Sequence, residues 1–313
     1  MKGLTDIPGI RVGHVSDYGA ITGCTAILCE QGGVDIRGSA TGTEEIATLD
    51  PGHVTDKVHG IVAGRRAFGP EAASGVRRYL ERRGAGYPAG AAKVPIVPAA
   101  ILYDLGIGRA DVCPSVAMGE AAASAASTEA VKEGCAGAGT GGTVGKLFGM
   151  KRAMKAGLGS YTVALPGGVL VSSLVAVSAL GDVQDPATGK IVAGARVSEN
   201  SREFADSEAQ MKKGARGGQT ISHTTLAVVA TNARLTKVEA NKIAQLAGLG
   251  MARTIFPVNT MFDGDILFGL SIGDRTADVN TLGTAAAEAV AQAVLRAARL
   301  AKTLGDVPGL AGE

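Results

Sequence analysis

The sequence predicts a layered α/β domain in which both halves of the chain contribute to one core. Apolar, β-branched runs occur near the start and again in the last third, helical patterns lie between and after them, and no internal repeat divides the chain. Hydrophobic residues make up 46% of the 313 residues, enough to fill a sizeable interior.

The chain opens with three short β-rich runs, residues 9–15, 24–30 and 33–38, separated by Gly and Asp turn signals. A helix is expected over 70–83, where Ala72, Ala73, Val76, Tyr79 and Leu80 recur at helical spacing. Residues 95–106 (PIVPAAILYDLG) are apolar and β-branched enough for a buried strand, and the small residues of 115–133 suit a second helix. Residues 161–181 read as two adjoining strands. From 182 to 222 the composition turns polar, glycine-rich and charged, as expected of a solvated connection with a short exposed helix. A buried strand follows over 225–232. Thr236 and Glu239 then form a capping box ahead of a helix over 238–250, because each side chain can satisfy the other residue's orphan backbone N–H. Residues 262–273 read as a further strand, and an alanine-rich helix over 284–303 should lay an apolar stripe on a sheet.

Composition excludes several functions. Glycine, 46 of 313 residues, is about twice its usual share of roughly 7% but has no collagen period, which points to close packing and tight turns. Aromatics are scarce at 4%, with no Trp, so stacking platforms for single-stranded nucleic acid are not expected. A net charge of +2 gives no electrostatic case for nucleic acid or membrane surfaces. Cys24, Cys29, Cys113 and Cys135 show no CxxC spacing and read as reduced thiols. The first fifteen residues lack the long apolar region of a signal peptide, and no apolar run reaches the length of a membrane span. A cytoplasmic protein is the expectation.

Among the motifs, Thr224 carries the sharpest chemistry. It stands where the polar stretch meets a buried-looking strand, in His223-Thr224-Thr225-Leu226. Were the bond before it cut, its α-amine, with an ordinary pKa of roughly 7.7–8.0, could take the proton of its own hydroxyl and activate it as a nucleophile. Asp263 and Asp265 flank Gly264; in extended backbone, residues two apart point the same way, so both carboxylates could meet one site and raise one another's pKa. The competing reading is a surface turn. Gly137–Gly142 matches G-x-G-x-x-G, but a helical, charged segment precedes it and no acidic residue follows before Asp182, so a dinucleotide site is not expected. Lys146, just after those glycines, is either a solvated side chain or an ammonium placed where negative charge develops. His14, His53, His59 and His223 form no metal-ligand spacing, and no G-x-S-x-G elbow occurs, so neither a metal nor a serine triad is expected.

In LTDIPGIRVGH, TGCTAIL, GAGTGGTVGK, VSALGDV, HTTLAVVATNARLTKVEANK, PVNTMFDGD and TLGTAAAEAV, the chain resembles the DmpA-type aminopeptidases almost end to end. That family includes β-peptidyl aminopeptidases and nylon-oligomer hydrolases. The resemblance implies a single αββα-layered domain that cuts itself once, between His223 and Thr224, into 1–223 and 224–313. It implies Thr224 as nucleophile, Lys146 beside it, Tyr103 lining the site, and Asp263 and Asp265 contacting the α-amine of Thr224 or of the substrate. It also implies small peptides, amino-acid amides or short β- or ω-amino-acid oligomers as substrates, no cofactor, and a homo-oligomer of cut protomers. Two departures stand out. Ser178 occupies the place of a common asparagine donor, and Arg65-Arg66 replaces expected glycines near the substrate mouth. The fold also resembles ornithine acetyltransferases, so acyl transfer through the same threonine is the alternative; an unprocessed relative is a third.

Overall fold

The computed structural model of the protein describes residues 1–36, 57–65, 69–216 and 223–312. The first half carries β1 (Arg11–Asp17), β2 (Thr22–Ile36), β3 (Lys57–Arg65), α1 (Gly69–Arg82), the small hairpin β4 (Tyr87–Ala89) and β5 (Ala92–Val94), β6 (Ala99–Leu102) and α2 (Val116–Ser124). Short strands β7 (Thr143–Val144) and β8 (Met154–Lys155) precede a long hairpin, β9 (Leu158–Leu165) and β10 (Val169–Ser178). Then come β11 (Asp182–Asp185), β12 (Lys190–Ala193) and α3 (Ser207–Lys212). β13 (Thr224–Ala233), α4 (Lys237–Ala252), β14 (Ile255–Phe256), β15 (Ile266–Arg275) and α5 (Val279–Arg299) complete the order.

Eight strands form one sheet, in the order β6-β3-β2-β15-β13-β10-β9, with β1 also on β2. The fifteen-residue β2 divides it into two leaves. Its first half pairs β1, β3 pairs it on both sides of a register shift between Leu28 and Gly33, and its far end pairs β15. Gly32 stands in that shift at φ +80°, a conformation most side chains resist.

Alternation along the strands sets the layers. Leu226, Val228 and Ala230 of β13 and Phe268 of β15 share a cluster with Ile27, Ile61 and Leu102 of the other leaf, so the two leaves pack face to face. The alternate residues, Ala227 and Val229, pack with Ile243 of α4 and Val290 of α5. Cys24, Ala26 and Val62 pack with Val76 of α1 and Ala122 of α2. The result is the αββα sandwich that the resemblance implies. Close helix contacts explain much of the glycine: a Cβ at Gly75 or Gly119 would meet backbone oxygens of Val116 or Ala72 at 2.0 and 1.9 Å. Among the described residues, no helix is long and apolar enough to cross a membrane.

Several boundaries differ from expectation. The helix expected over 115–133 ends at Ser124, because Ser127 exchanges main-chain hydrogen bonds with Val12 at 3.0 and 3.1 Å and Val131 N donates to Lys2 O. Tertiary backbone pairing overrides the helical preference of the small residues. The capping box of α4 forms as expected, while α5 begins earlier than residue 284, capped by Asp278, which accepts from Thr281 N at 2.8 Å. The stretch after residue 181 is only partly a solvated connection. Asp182 is fully buried and accepts from Ala195 N, Ser207 N and Ser207 Oγ at 2.7–2.8 Å, tying the segment down. Residues 217–222 of that stretch, and His53, lie outside the described residues, as does Arg66; of Arg65 only the backbone is described.

Candidate active site

β10 ends at Ser178 and β13 begins at Thr224, and the two are direct partners in the antiparallel ladder. By alternation both continue the strand faces that carry Ala176 and Leu226, which point between the leaves. Thr224 is 4% exposed. Its hydroxyl donates to the carbonyl oxygen of His223 at 2.6 Å. The backbone N–H of Gly264 donates to the same oxygen at 2.8 Å. With a C=O bond of about 1.23 Å, the Thr224 oxygen lies within about 3.8 Å of the carbonyl carbon preceding it.

Gly264 reaches this position because residues 223 and 263 form a parallel bridge, three residues ahead of the first pair of the β13–β15 ladder and in the same register. A Cβ on Gly264 would stand 3.3 Å from the Thr224 hydroxyl. The aspartates on either side turn to different partners. Asp265, 7% exposed, accepts from Thr225 N at 2.5 Å and from Asn259 N at 3.1 Å. Burial, and then the neighbouring Asp263, push its carboxyl up to about 7. Asp263 accepts from Thr260 Oγ1 at 2.6 Å, Thr260 N at 3.1 Å and Leu180 N at 3.4 Å. Both are therefore anchored parts of the site wall and not a solvated turn.

Lys146 follows the glycine-rich run, which folds as a buried 3-10 turn over Gly137–Gly141 with no strand leading into it. That context also removes the dinucleotide reading. Gly145 takes a left-handed conformation (φ 69°), and Lys146 N then bonds to Leu180 O at 2.9 Å, so the side chain descends onto the end of β10. Its Nζ donates to Ser178 O and Ser178 Oγ, both at 2.9 Å. Burial draws the amine down to about 8, opposed by the carboxylates of Asp104, Asp263 and Asp265, in decreasing order, and assisted by Lys155. Lys146 is thus a buried ammonium that gives up its proton far more readily than an ordinary lysine, and not a surface group. His223 is held neutral, its pKa drawn down to about 3 by burial and by Lys146.

A cavity of about 600 Å³ opens beside this cluster, lined by Tyr103, Asp104, Lys146, Phe148, Met150 and His223 among others. All the candidate residues read from the sequence, Thr224, Lys146, Ser178, Asp263, Asp265, Tyr103 and His223, therefore fall in one region. Sequence reasoning missed Asp104, Lys155 and the Gly264 amide. A charge at the end of the apolar run ILYD was a usable signal for Asp104; a backbone N–H leaves none. No group of three or more metal-ligating side chains occurs among the described residues.

The model of peptidase family S58 matches residues 2–310. An uncharacterized aminopeptidase of Mycobacterium bovis is 34% identical over 340 aligned residues, covering 98% of this chain and 96% of its own. A 6-aminohexanoate-oligomer endohydrolase of a Kocuria species is 31% identical, covering 94% of this chain and 85% of its own. The solved L-aminopeptidase D-Ala-esterase/amidase of Ochrobactrum anthropi, described as a variant of the Ntn hydrolase fold, superposes with a TM-score of 0.73 at 19% identity. That match covers 98% of this chain and 88% of the other.

Proposed function

The chain belongs to peptidase family S58 and is a hydrolase of amide bonds; on that premise we propose that it cuts itself before Thr224 and then works through the freed threonine. The observation that carries this reading is the carbonyl of His223, whose oxygen receives both the Thr224 hydroxyl and the Gly264 amide. A backbone N–H already aimed at the oxygen that becomes negative is the kind of donor that stabilises an oxyanion. In the cut, Thr224 Oγ bonds to the His223 carbonyl carbon, the C–N bond breaks, and the hydroxyl proton ends on the leaving nitrogen. Water then hydrolyses the ester, giving a chain of residues 1–223 and one of 224–313.

In turnover, the α-amine of Thr224 takes the hydroxyl proton as the oxygen attacks a substrate amide. An acyl-enzyme forms, the amine product leaves, and water releases the acid. Lys146, held beside Ser178, orients that serine and supplies positive charge; Ser178 gives one donor. Asp265 fixes the backbone that follows the nucleophile, Asp263 the backbone just beyond β10, and both accept from an ammonium, while Tyr103 borders the substrate. Substrates are small peptides, amino-acid amides or short β- or ω-amino-acid oligomers, in keeping with the aminopeptidase and 6-aminohexanoate-oligomer relatives. The reading takes the mature form as a cytoplasmic homo-oligomer of cut protomers without metal or cofactor.

Intact-mass measurement of the wild-type and Thr224→Ala proteins, with assays on an aminoacyl p-nitroanilide and a 6-aminohexanoate oligomer, tests this. The wild type should yield two chains parted at His223–Thr224 and hydrolyse at least one substrate, and the variant should stay whole and inactive. Activity in an unbroken wild-type chain, or in the variant, would overturn it.

A further inference from the structure

Lys155 is fully buried and is among the largest such side chains of the described residues. A lysine is rarely placed so, since an ammonium loses its hydration unless other groups replace it. Its Nζ donates to Thr140 O at 3.0 Å and Gly142 O at 2.6 Å, the carbonyls either side of Gly141. Asp104 packs against Gly141, its Oδ2 standing only 1.8 Å from where a Cβ would be. The glycine run is thus packed against both a buried lysine and a buried aspartate. Lys155 also belongs to the β7–β8 pair, opposite Thr143, and its N–H donates to Pro308 O at 2.8 Å. The β7 strand ends at Val144, two residues before Lys146.

We propose that Lys155 is a positioning residue for Lys146, fixing the Thr140–Gly142 backbone that delivers it to Ser178 and setting a second positive charge against the site's carboxylates. This rests on the reading that Lys146 serves the Thr224 site. The charged and titratable groups that act on Lys146 are Asp104, Asp263, Asp265 and Lys155, and His223 stands within its field. Three carboxylates favour the Lys146 ammonium; Lys155 is the cation that opposes them, and with burial it keeps the amine able to lose its proton near neutral pH. Lys155 touches no reacting atom; it acts through the loop and through Lys146.

The sign follows directly. Without the Lys155 charge the Lys146 ammonium is better stabilised, so its titration moves to higher pH. Whether Lys146 works as ammonium or as amine, the limb of the pH profile that reports it moves upward. The test uses the full-length wild type with Lys155→Met, Lys155→Arg and Lys146→Arg, following kcat and KM across pH. Lys146→Arg identifies the limb, since a guanidinium does not titrate there. Lys155→Met should lower kcat about tenfold or more with little change in KM, and shift that limb to higher pH. Lys155→Arg should restore the limb. A Lys155→Met protein that melts earlier and loses rate with its limb unmoved shows a purely structural lysine and overturns the proposal. Should that variant not fold, nitrogen NMR of the wild-type lysine side chains decides: a charged Lys155 at pH 7 beside a Lys146 titrating near 8 supports it, and a neutral Lys155 overturns it. A Lys146→Arg profile identical to wild type would instead remove Lys146 from the site, a separate failure.

Discussion

Replacing Gly264 by alanine separates reactivity from stability at one atom. The new Cβ would stand 3.3 Å from the Thr224 hydroxyl and 3.9 Å from the His223 carbonyl oxygen, with nothing else within 4 Å. Gly264 is not among the residues of positive φ, so alanine meets no backbone strain. A glycine-to-alanine change at such a position stabilises by roughly 0.4–1 kcal/mol through the unfolded chain, and the single tight contact offsets part of that. The melting temperature should therefore hold or rise slightly. The hydroxyl, however, must retreat by a few tenths of an ångström to restore ordinary contact. A misplacement of about 1 Å costs on the order of a hundredfold in rate, so about a tenfold slower cut, roughly 1.4 kcal/mol of barrier, is expected. Fresh protein from cell-free synthesis, sampled over time on denaturing gels, gives the cutting rate, and thermal unfolding of the same material gives stability. Cutting at the wild-type rate, or a loss of rate that merely follows a loss of stability, would refute the reasoning.

Two further outcomes follow from buried carboxylates. On the Thr224→Ala background, Asp265 holds a proton in the fold, near pH 7, that the unfolded chain releases near 4. Its contribution to stability is thus full below about pH 4 and is lost as pH rises to about 7, by at most about 4 kcal/mol. Urea unfolding should show the advantage over Asp265→Asn shrinking across that window, and a pH-independent difference would contradict the assigned direction. Asp182→Ala strands three donors, from Ala195 and Ser207; at about 1–3 kcal/mol for each buried unsatisfied group, it should destabilise by several kcal/mol in denaturant titration, and a loss below about 1 kcal/mol would show that the segment is not anchored there.

What the sequence made legible was whatever local pattern determines. The capping box at Thr236, the hairpin between Leu165 and Val169 and the helix from Gly69 all follow from residues close in the chain. The end of α2 does not, because its competitor, Val12, lies more than a hundred residues away. The same division holds at the site. Thr224, Asp263 and Asp265 were readable as reactive types at a suggestive spacing, and Lys146 and Ser178 through resemblance. Asp104 offered only a charge at the end of an apolar run, and Lys155 acquires meaning only once its contacts with the backbone around Gly141 are seen. The Gly264 amide is chemistry supplied by position alone, which no side-chain pattern encodes.

β13 has ladder partners on both edges, β10 from Thr224 to Thr231 and β15 from Leu226 onward. A nick at its first peptide would consequently leave the new terminus clamped mid-sheet, with α4, β15 and α5 on one polypeptide and β10 on the other. The halves would not drift apart under native conditions. Once unravelled, though, they would have to find each other as two molecules, so recovery would depend on concentration, and the working lifetime of the nicked protein would be governed by how slowly it comes undone.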